Sequence, residues 1–183
     1  MALKSTIFKA DLQVSDMDRN YYQSHALTIA RHPSETDERM MMRVLAFALY
    51  ADESMTFGKG LSADDEPDLW QKDLTGAIER WIDVGLPDEK RIRKACNRAA
   101  QVTVLAYGGR VAELWWGQVG GLLNRFQNLT VLSLPVETSQ ALAQLAQRGM
   151  QLQCLIQDGQ IWLGDENARI EIVPQRLKTP NGE

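Results

Sequence analysis

Three carboxylates occupy positions where an acid is not needed for solubility. Glu53 lies one helical turn beyond Leu49 and two beyond Leu45, so it extends an apolar helix face into its end. Asp68 follows Pro67 at the start of an extended segment. Asp83 ends an apolar run, Ile78 to Val84, just before Gly85 breaks it. A carboxylate at the carboxyl end of a strand is well placed, because ligands of open α/β sheets collect there. Two or three such groups can hold Mg²⁺ or Mn²⁺, which orients water, lowers its pKa and offsets charge on a leaving oxygen. A nearby lysine adds positive charge and positions the nucleophile. That chemistry suits hydrolysis of a phosphodiester, an anion that resists attack by water. Plainer roles fit the same residues: Asp68 as a turn initiator, Glu53 as the ion-pair partner of an arginine on the next helix.

The elements that must position these acids follow from hydrophobic spacing. Thr6 to Val14 alternates, with Phe8, Ala10, Leu12 and Val14 on one face, and Tyr21 to Ala30 alternates again, giving an N-terminal hairpin. Ser34 with Asp37 resembles a capping box and opens a helix whose stripe is Met41, Val44, Leu45, Ala48 and Leu49. Only Arg43 is charged between Met40 and Ala51, so this helix is buried on most sides. A Gly- and Asp-rich connection from Phe57 holds a short strand, Pro67 to Trp70 is extended, and Ile78 to Val84 is a strand. Pro87 fits the first position of a helix over residues 88–100. Residues 101–107 form a strand, Val111 to Arg125 a helix, Leu129 to Leu134 a strand, and Val136 to Arg148 a helix closed by Gly149. Leu152 to Gln157 and Gln160 to Leu163 flank Asp158-Gly159, a type I′ hairpin signal, and Arg169 to Val173 adds a strand. Strands alternating with helices indicate a layered α/β domain.

With 183 residues, 44% hydrophobic and 24% charged, the chain reads as one globular domain spanning 1–183. Its α/β middle, about 34–135, is flanked by hairpins at 5–31 and 151–174. Cys96 and Cys154 have no CxxC spacing and read as thiols of a reducing compartment. No apolar stretch is long enough to span a bilayer and residues 1–10 lack a signal-peptide core, so a cytoplasmic protein without membrane contact is expected. The net charge of −4 argues against a dedicated polyanion binder. Still, Lys90, Arg91, Arg93, Lys94 and Arg98 make the helix at 88–100 basic, either a footprint for nucleic-acid phosphates or a solvated helix face.

The stretches Glu66-Pro67-Asp68-Leu69-Trp70 and Trp81-Ile82-Asp83-Val84-Gly85-Leu86-Pro87-Asp88-Glu89-Lys90-Arg91-Ile92-Arg93-Lys94-Ala95 resemble the signature of the YaeQ family, as do Ala51-Asp52-Glu53 and Phe57-Gly58-Lys59-Gly60. The resemblance covers nearly the whole chain and implies a bacterial protein of the PD-(D/E)XK nuclease-like superfamily. It implies an αβββαβ restriction-endonuclease-like core with hairpins added at both ends. Asp68 matches the PD acid, Asp83 the acid of the (D/E)XK triplet, and Glu53 the acid many members carry on the first helix. Together they would bind Mg²⁺ or Mn²⁺. The lysine position holds Gly85, a departure from the pattern. A substitute cation from the following helix is implied: Lys90 first, then Lys94, with Arg91 flanking the buried face. The expected function is thus a metal-dependent phosphodiesterase acting on nucleic acid, with Asp68, Asp83, Lys90 and Lys94 catalytic. Its alternatives are a catalytically inactive nuclease-fold module that binds nucleic acid or protein, and a structural protein whose acids stabilise the core alone.

Overall fold

The structure, a computed structural model, describes residues 4–180, the side chain of Ser62 apart. Along the chain run β1 (Thr6–Asp16), β2 (Tyr21–Arg31), α1 (Asp37–Leu49), β3 (Met55–Phe57), a 3-10 turn (Gly60–Ser62), β4 (Leu69–Lys72), β5 (Ile78–Val84), α2 (Glu89–Arg98), β6 (Ala99–Ala106), α3 (Arg110–Leu123), β7 (Leu129–Ser133), α4 (Val136–Ala143), β8 (Gly149–Gln157), β9 (Gln160–Gly164), β10 (Arg169–Ile172) and β11 (Gln175–Lys178). Among the described residues this is a mixed α/β fold with two mixed sheets and four α-helices. Its internal contacts gather into two compact units.

The first unit takes residues 1–51 and 137–173. Its sheet has the order β10-β9-β8-β1-β2. The two hairpins read at the chain's ends do pair with each other: β1 runs parallel to β8, Leu12 beside Leu152 and Val14 beside Cys154. Phe8, Ala10, Leu12 and Val14 are buried while Lys9, Asp11 and Gln13 are exposed, as period-2 alternation requires. Asp158 and Gly159 both have positive φ, 53° and 76°, the geometry of the type I′ turn. Helix α1 is buried along all of Met40 to Ala48. Its one interior charge, Arg43, donates from Nη2 to Glu35 Oε1 at 2.5 Å and to the Ala30 carbonyl at 3.0 Å. The cap of α1 is Thr36, whose hydroxyl accepts from Arg39 N–H, while Ser34 bonds the His32 ring instead. Helix α4 is shorter than its apolar spacing suggests. After Ala143 the backbone tightens into i→i−3 bonds, which keep Leu142 and Leu145 buried, and Gly149 opens β8 rather than closing a helix.

The second unit takes residues 52–136 and 174–183. Its sheet has the order β11-β7-β6-β5-β4-β3, with β5, β6 and β7 parallel. The crossovers between these parallel strands are α2 and α3, as parallel pairing demands. Trp81 and Val104 from the strands meet Ile92, Ala95, Trp115 and Leu123 from the helices in one core. Burying each large apolar side chain is worth roughly 1.5–3 kcal/mol, so this layer dominates the unit's stability. Trp115 donates its indole N–H to the Pro87 carbonyl at 2.7 Å, and Asn128 Nδ2 donates to the Cys96 and Ala99 carbonyls where α2 ends. Strand β11, unread in the sequence, edges the sheet along β7.

Candidate functional site

The candidate site lies in the second unit, at the carboxyl end of β5. Antiparallel pairing sets Leu69 of β4 opposite Ile82 of β5, so Asp68 and Asp83 face each other across the strands. Period-2 alternation turns Asp83 to the same face as Trp81, beneath α2. Both acids are almost wholly buried, Asp68 at 1% and Asp83 at 2% exposure. The backbone binds them to one another. Asp68 N–H donates to Asp83 Oδ1 at 3.4 Å, and Val84 N–H donates to Asp68 Oδ2 at 2.8 Å. Trp81 Nε1–H donates to Asp83 Oδ2 at 3.1 Å.

The cation that completes this pair is Arg91. Its Nε donates to Asp83 Oδ2 at 2.9 Å and its Nη2 to Asp83 Oδ1 at 3.0 Å, a two-pronged guanidinium–carboxylate contact. The same side chain reaches the carbonyls of Asp64 and Glu66 at 3.1 and 3.0 Å. Those bonds to Asp83, together with the charges of Asp83, Asp68 and Asp64, hold the guanidinium pKa above its ordinary value. Helix geometry explains the choice. Asp88 caps α2 and accepts from Arg91 N–H, fixing Arg91 in the first turn beside the strand end. Lys90 and Lys94 project from α2 into solvent. Lys90, favoured from the sequence as the substitute cation, is therefore not the group that meets Asp83 here.

Gly85 stands where the (D/E)XK pattern has lysine, and its φ of +101° is one that side chains with a Cβ rarely adopt. Its N–H donates to the Leu105 carbonyl, holding the chain where it leaves β5. The loop between β3 and β4 closes over the other acid: a Cβ at Gly60, φ +51°, would sit 2.7 Å from Asp68 Oδ1. Arg98 holds the same loop through the Asp65 carbonyl at 2.9 Å, with its guanidinium 5.2 Å from the Trp81 ring centre.

Glu53 is placed differently from the reading that put it on the first helix. That helix ends at Leu49, with Tyr50 N–H closing onto the Ala46 carbonyl, and Glu53 is an exposed turn residue. Among the described residues no three His, Cys, Asp or Glu side chains form a group able to hold a metal ion. Two carboxylates do meet, but both oxygens of Asp83 are engaged by Arg91, and Trp81 shares one of them. This donor set does not fit Mg²⁺ or Mn²⁺, because a fixed cation already sits against it.

His25 stacks on Tyr21 and shares a 2.8 Å hydrogen bond with its hydroxyl. No helix among the described residues is long and apolar enough to cross a membrane.

The profile of the family described as YaeQ protein matches residues 1–174. Proteins named "Uncharacterized protein YaeQ" from Escherichia coli strain K12 and Salmonella typhi are 49% and 50% identical over 172 residues, covering 94% of this chain and 95% of each relative. The crystal structure of YaeQ protein from Xanthomonas axonopodis pv. citri superposes with a TM-score of 0.92 at 49% identity, over 96% of this chain and 99% of that one. The crystal structure of YaeQ protein from Pseudomonas syringae gives 0.92 at 36% identity, over 97% and 98%. With the profile spanning most of its length and half of its residues shared with full-length relatives, the chain belongs to the YaeQ family.

Proposed function

We propose that this protein is a nuclease-like fold that binds nucleic acid through α2 without cleaving it. The element order α1-β3-β4-β5-α2-β6 reproduces αβββαβ, which supports kinship with the PD-(D/E)XK core. The observation that carries the non-catalytic reading is the Arg91 contact. A hydrolase of this type needs Asp83 for a divalent ion, and here an arginine neutralises it. Lys90 and Lys94 supply the binding face: both are exposed on α2 and neither has a carboxylate in ion-pair range among the described residues. Glu89, the acid nearest them in sequence, is taken up by Arg93 and Arg125. Phosphates would meet exposed ammonium groups in an otherwise acidic protein.

Fluorescence anisotropy with a labelled DNA duplex, and with the RNA of the same sequence, tests this reading. Binding should survive chelation of divalent ions and Asp83→Asn, and should weaken steeply with salt. The double variant Lys90→Glu, Lys94→Glu should weaken it strongly and lower the salt slope by about two. Mn²⁺-dependent cleavage that disappears in Asp83→Asn would overturn the proposal in favour of a phosphodiesterase. Failure of both nucleic acids to bind at low salt would overturn the proposal in favour of a protein-binding or purely structural role.

A further inference from the structure

One face of α3 is left uncovered in a way that ordinary solvation does not explain. Ala112, Trp115, Gly120 and Leu123 are buried, which accounts for one side of the helix. Outside that buried side Val111, Leu114 and Leu122 are 62%, 53% and 57% exposed, Leu114 opposite it and the other two on its flank. Single exposed aliphatics are unremarkable, but Val111, Leu114 and Leu122 lie along one strip of the helix, on either side of Gln118, and together offer apolar area of the kind that marks contact surfaces. Beside them runs a second row at four-residue spacing: Glu113, Gly117, Gly121, Arg125. Asn124 keeps helical dihedrals, so Arg125 continues the row past the helix end.

The two central glycines have no local explanation. Neither has a positive φ, and a Cβ at Gly117 or Gly121 would meet nothing within 4 Å. An exposed helical glycine costs about 1 kcal/mol relative to alanine, so the row gives up helix stability without any return inside the chain. Gly120 differs: a Cβ there would meet the Trp116 ring at 2.9 Å. What Gly117 and Gly121 do provide is a shallow groove, bounded by Leu114, Gln118 and Leu122. Rows at four-residue spacing are the ridges and grooves through which helices interlock.

The charges say what fits that groove. Glu113 is exposed and has no ion-pair partner among the described residues, and Arg125 is 57% exposed while touching Glu89. The row reads acid, glycine, glycine, base. Turned end for end about its middle, it is complementary to itself. Gly117 then meets Gly121 of the other helix, and Glu113 meets Arg125 at both ends. Self-complementarity about a two-fold axis defines an isologous interface. We infer that α3 is the contact through which two copies of this chain associate, antiparallel, with backbones close at Gly117 and Gly121 and two Glu113–Arg125 pairs fixing the register. One helix pair covers less than the ~800 Å² per partner of a standard stable complex, so the association is concentration-dependent.

Sedimentation velocity on the full chain, across a range from low micromolar to several hundred micromolar, tests this inference. The expected result is a monomer that converts to dimer as concentration rises. Leu114→Lys, on an exposed residue, should keep the thermal melt and lose the dimer. Glu113→Arg and Arg125→Glu should each weaken association at least tenfold, and the double exchange should restore it, since it rebuilds both pairs with the signs reversed. A monomer at every concentration overturns the inference, as does a dimer indifferent to Leu114→Lys. Single exchanges that weaken the dimer without rescue by the double exchange overturn the antiparallel register. Circular dichroism on each variant separates lost association from lost fold.

Discussion

Arg91 is the residue on which the candidate site turns. Its guanidinium is partly exposed, but the carboxylate it holds is not: the side-chain exposures are 27% and 3%. Removing one partner of such a pair leaves a buried charge uncompensated, which typically costs 3–5 kcal/mol. The partial exposure of Arg91 puts Arg91→Met at the low end, about 3 kcal/mol, read from urea denaturation. Adding Asp83→Asn should recover part of that loss, because the two groups are coupled. The same variant reports on metal chemistry. If the arginine is what keeps a divalent ion out, Arg91→Met should bind Mn²⁺ detectably by electron paramagnetic resonance and the unaltered protein should not. Equal binding by both would show that the guanidinium is no obstacle. The cysteines carry a separate expectation. Burial pushes the Cys96 thiol up to about 11 and Cys154 up to about 12. At pH 8 the native thiols should therefore alkylate with iodoacetamide more slowly than in the unfolded chain, about a hundredfold at Cys96 and about a thousandfold at Cys154, by mass spectrometry, since only the thiolate reacts.

At the scale of elements, periodicity was legible and boundary chemistry was not. The alternation of Phe8, Ala10, Leu12 and Val14 located β1, and the apolar run from Ile78 located β5 within a residue or so. Capping involves competing polar side chains with equal claims in the sequence. In the sequence Ser34 reads as the cap of α1, whereas Ser34 is engaged with His32 and Thr36 supplies the cap. Thr36→Ala should thus cost about 1 kcal/mol in thermal or urea denaturation, the usual worth of a cap, and Ser34→Ala only a few tenths. The reverse order would reinstate the capping box. Asp68 and Asp83 were legible for a similar reason: each sits at a strand end, and one strand register brings both together. Glu53 was misplaced because apolar spacing continues past Leu49 although the helix stops there. Arg91 was read as a flanking residue and Lys90 preferred, because helical phase alone does not show how far a long side chain folds back over a helix start. Strand β11 escaped notice because Gln175-Arg176-Leu177-Lys178 has almost no apolar content, as befits an edge strand.

At the scale of the whole molecule, the first unit is assembled from two distant stretches of the chain, 1–51 and 137–173, with residues 52–136 between them. Its sheet closes only when β1 pairs with β8, and Asp18 seals the junction by accepting from the Asp158 and Gly159 N–H groups at 2.7 and 2.9 Å, 140 and 141 residues away. The β1–β2 hairpin, by contrast, needs only a tight turn at residues 17–20. Loop-closure entropy makes distant pairing slow to form, so β1–β8 should be absent from much of the folding transition state while the hairpin is present. Two buried side chains separate these cases. Ile29 is fully buried on the hairpin and Leu152 is 2% exposed at the parallel seam. Trimming either should cost stability, about 1 kcal/mol for Ile29→Val and 2–5 kcal/mol for Leu152→Ala. The loss should partition differently in the kinetics. Leu152→Ala should act chiefly by speeding unfolding, with a folding rate close to that of the unaltered protein, whereas Ile29→Val should slow folding. Stopped-flow chevrons in urea measure both. A folding rate more sensitive to Leu152→Ala than to Ile29→Val, per unit of stability lost, would mean that the two distant stretches find each other before the hairpin is complete.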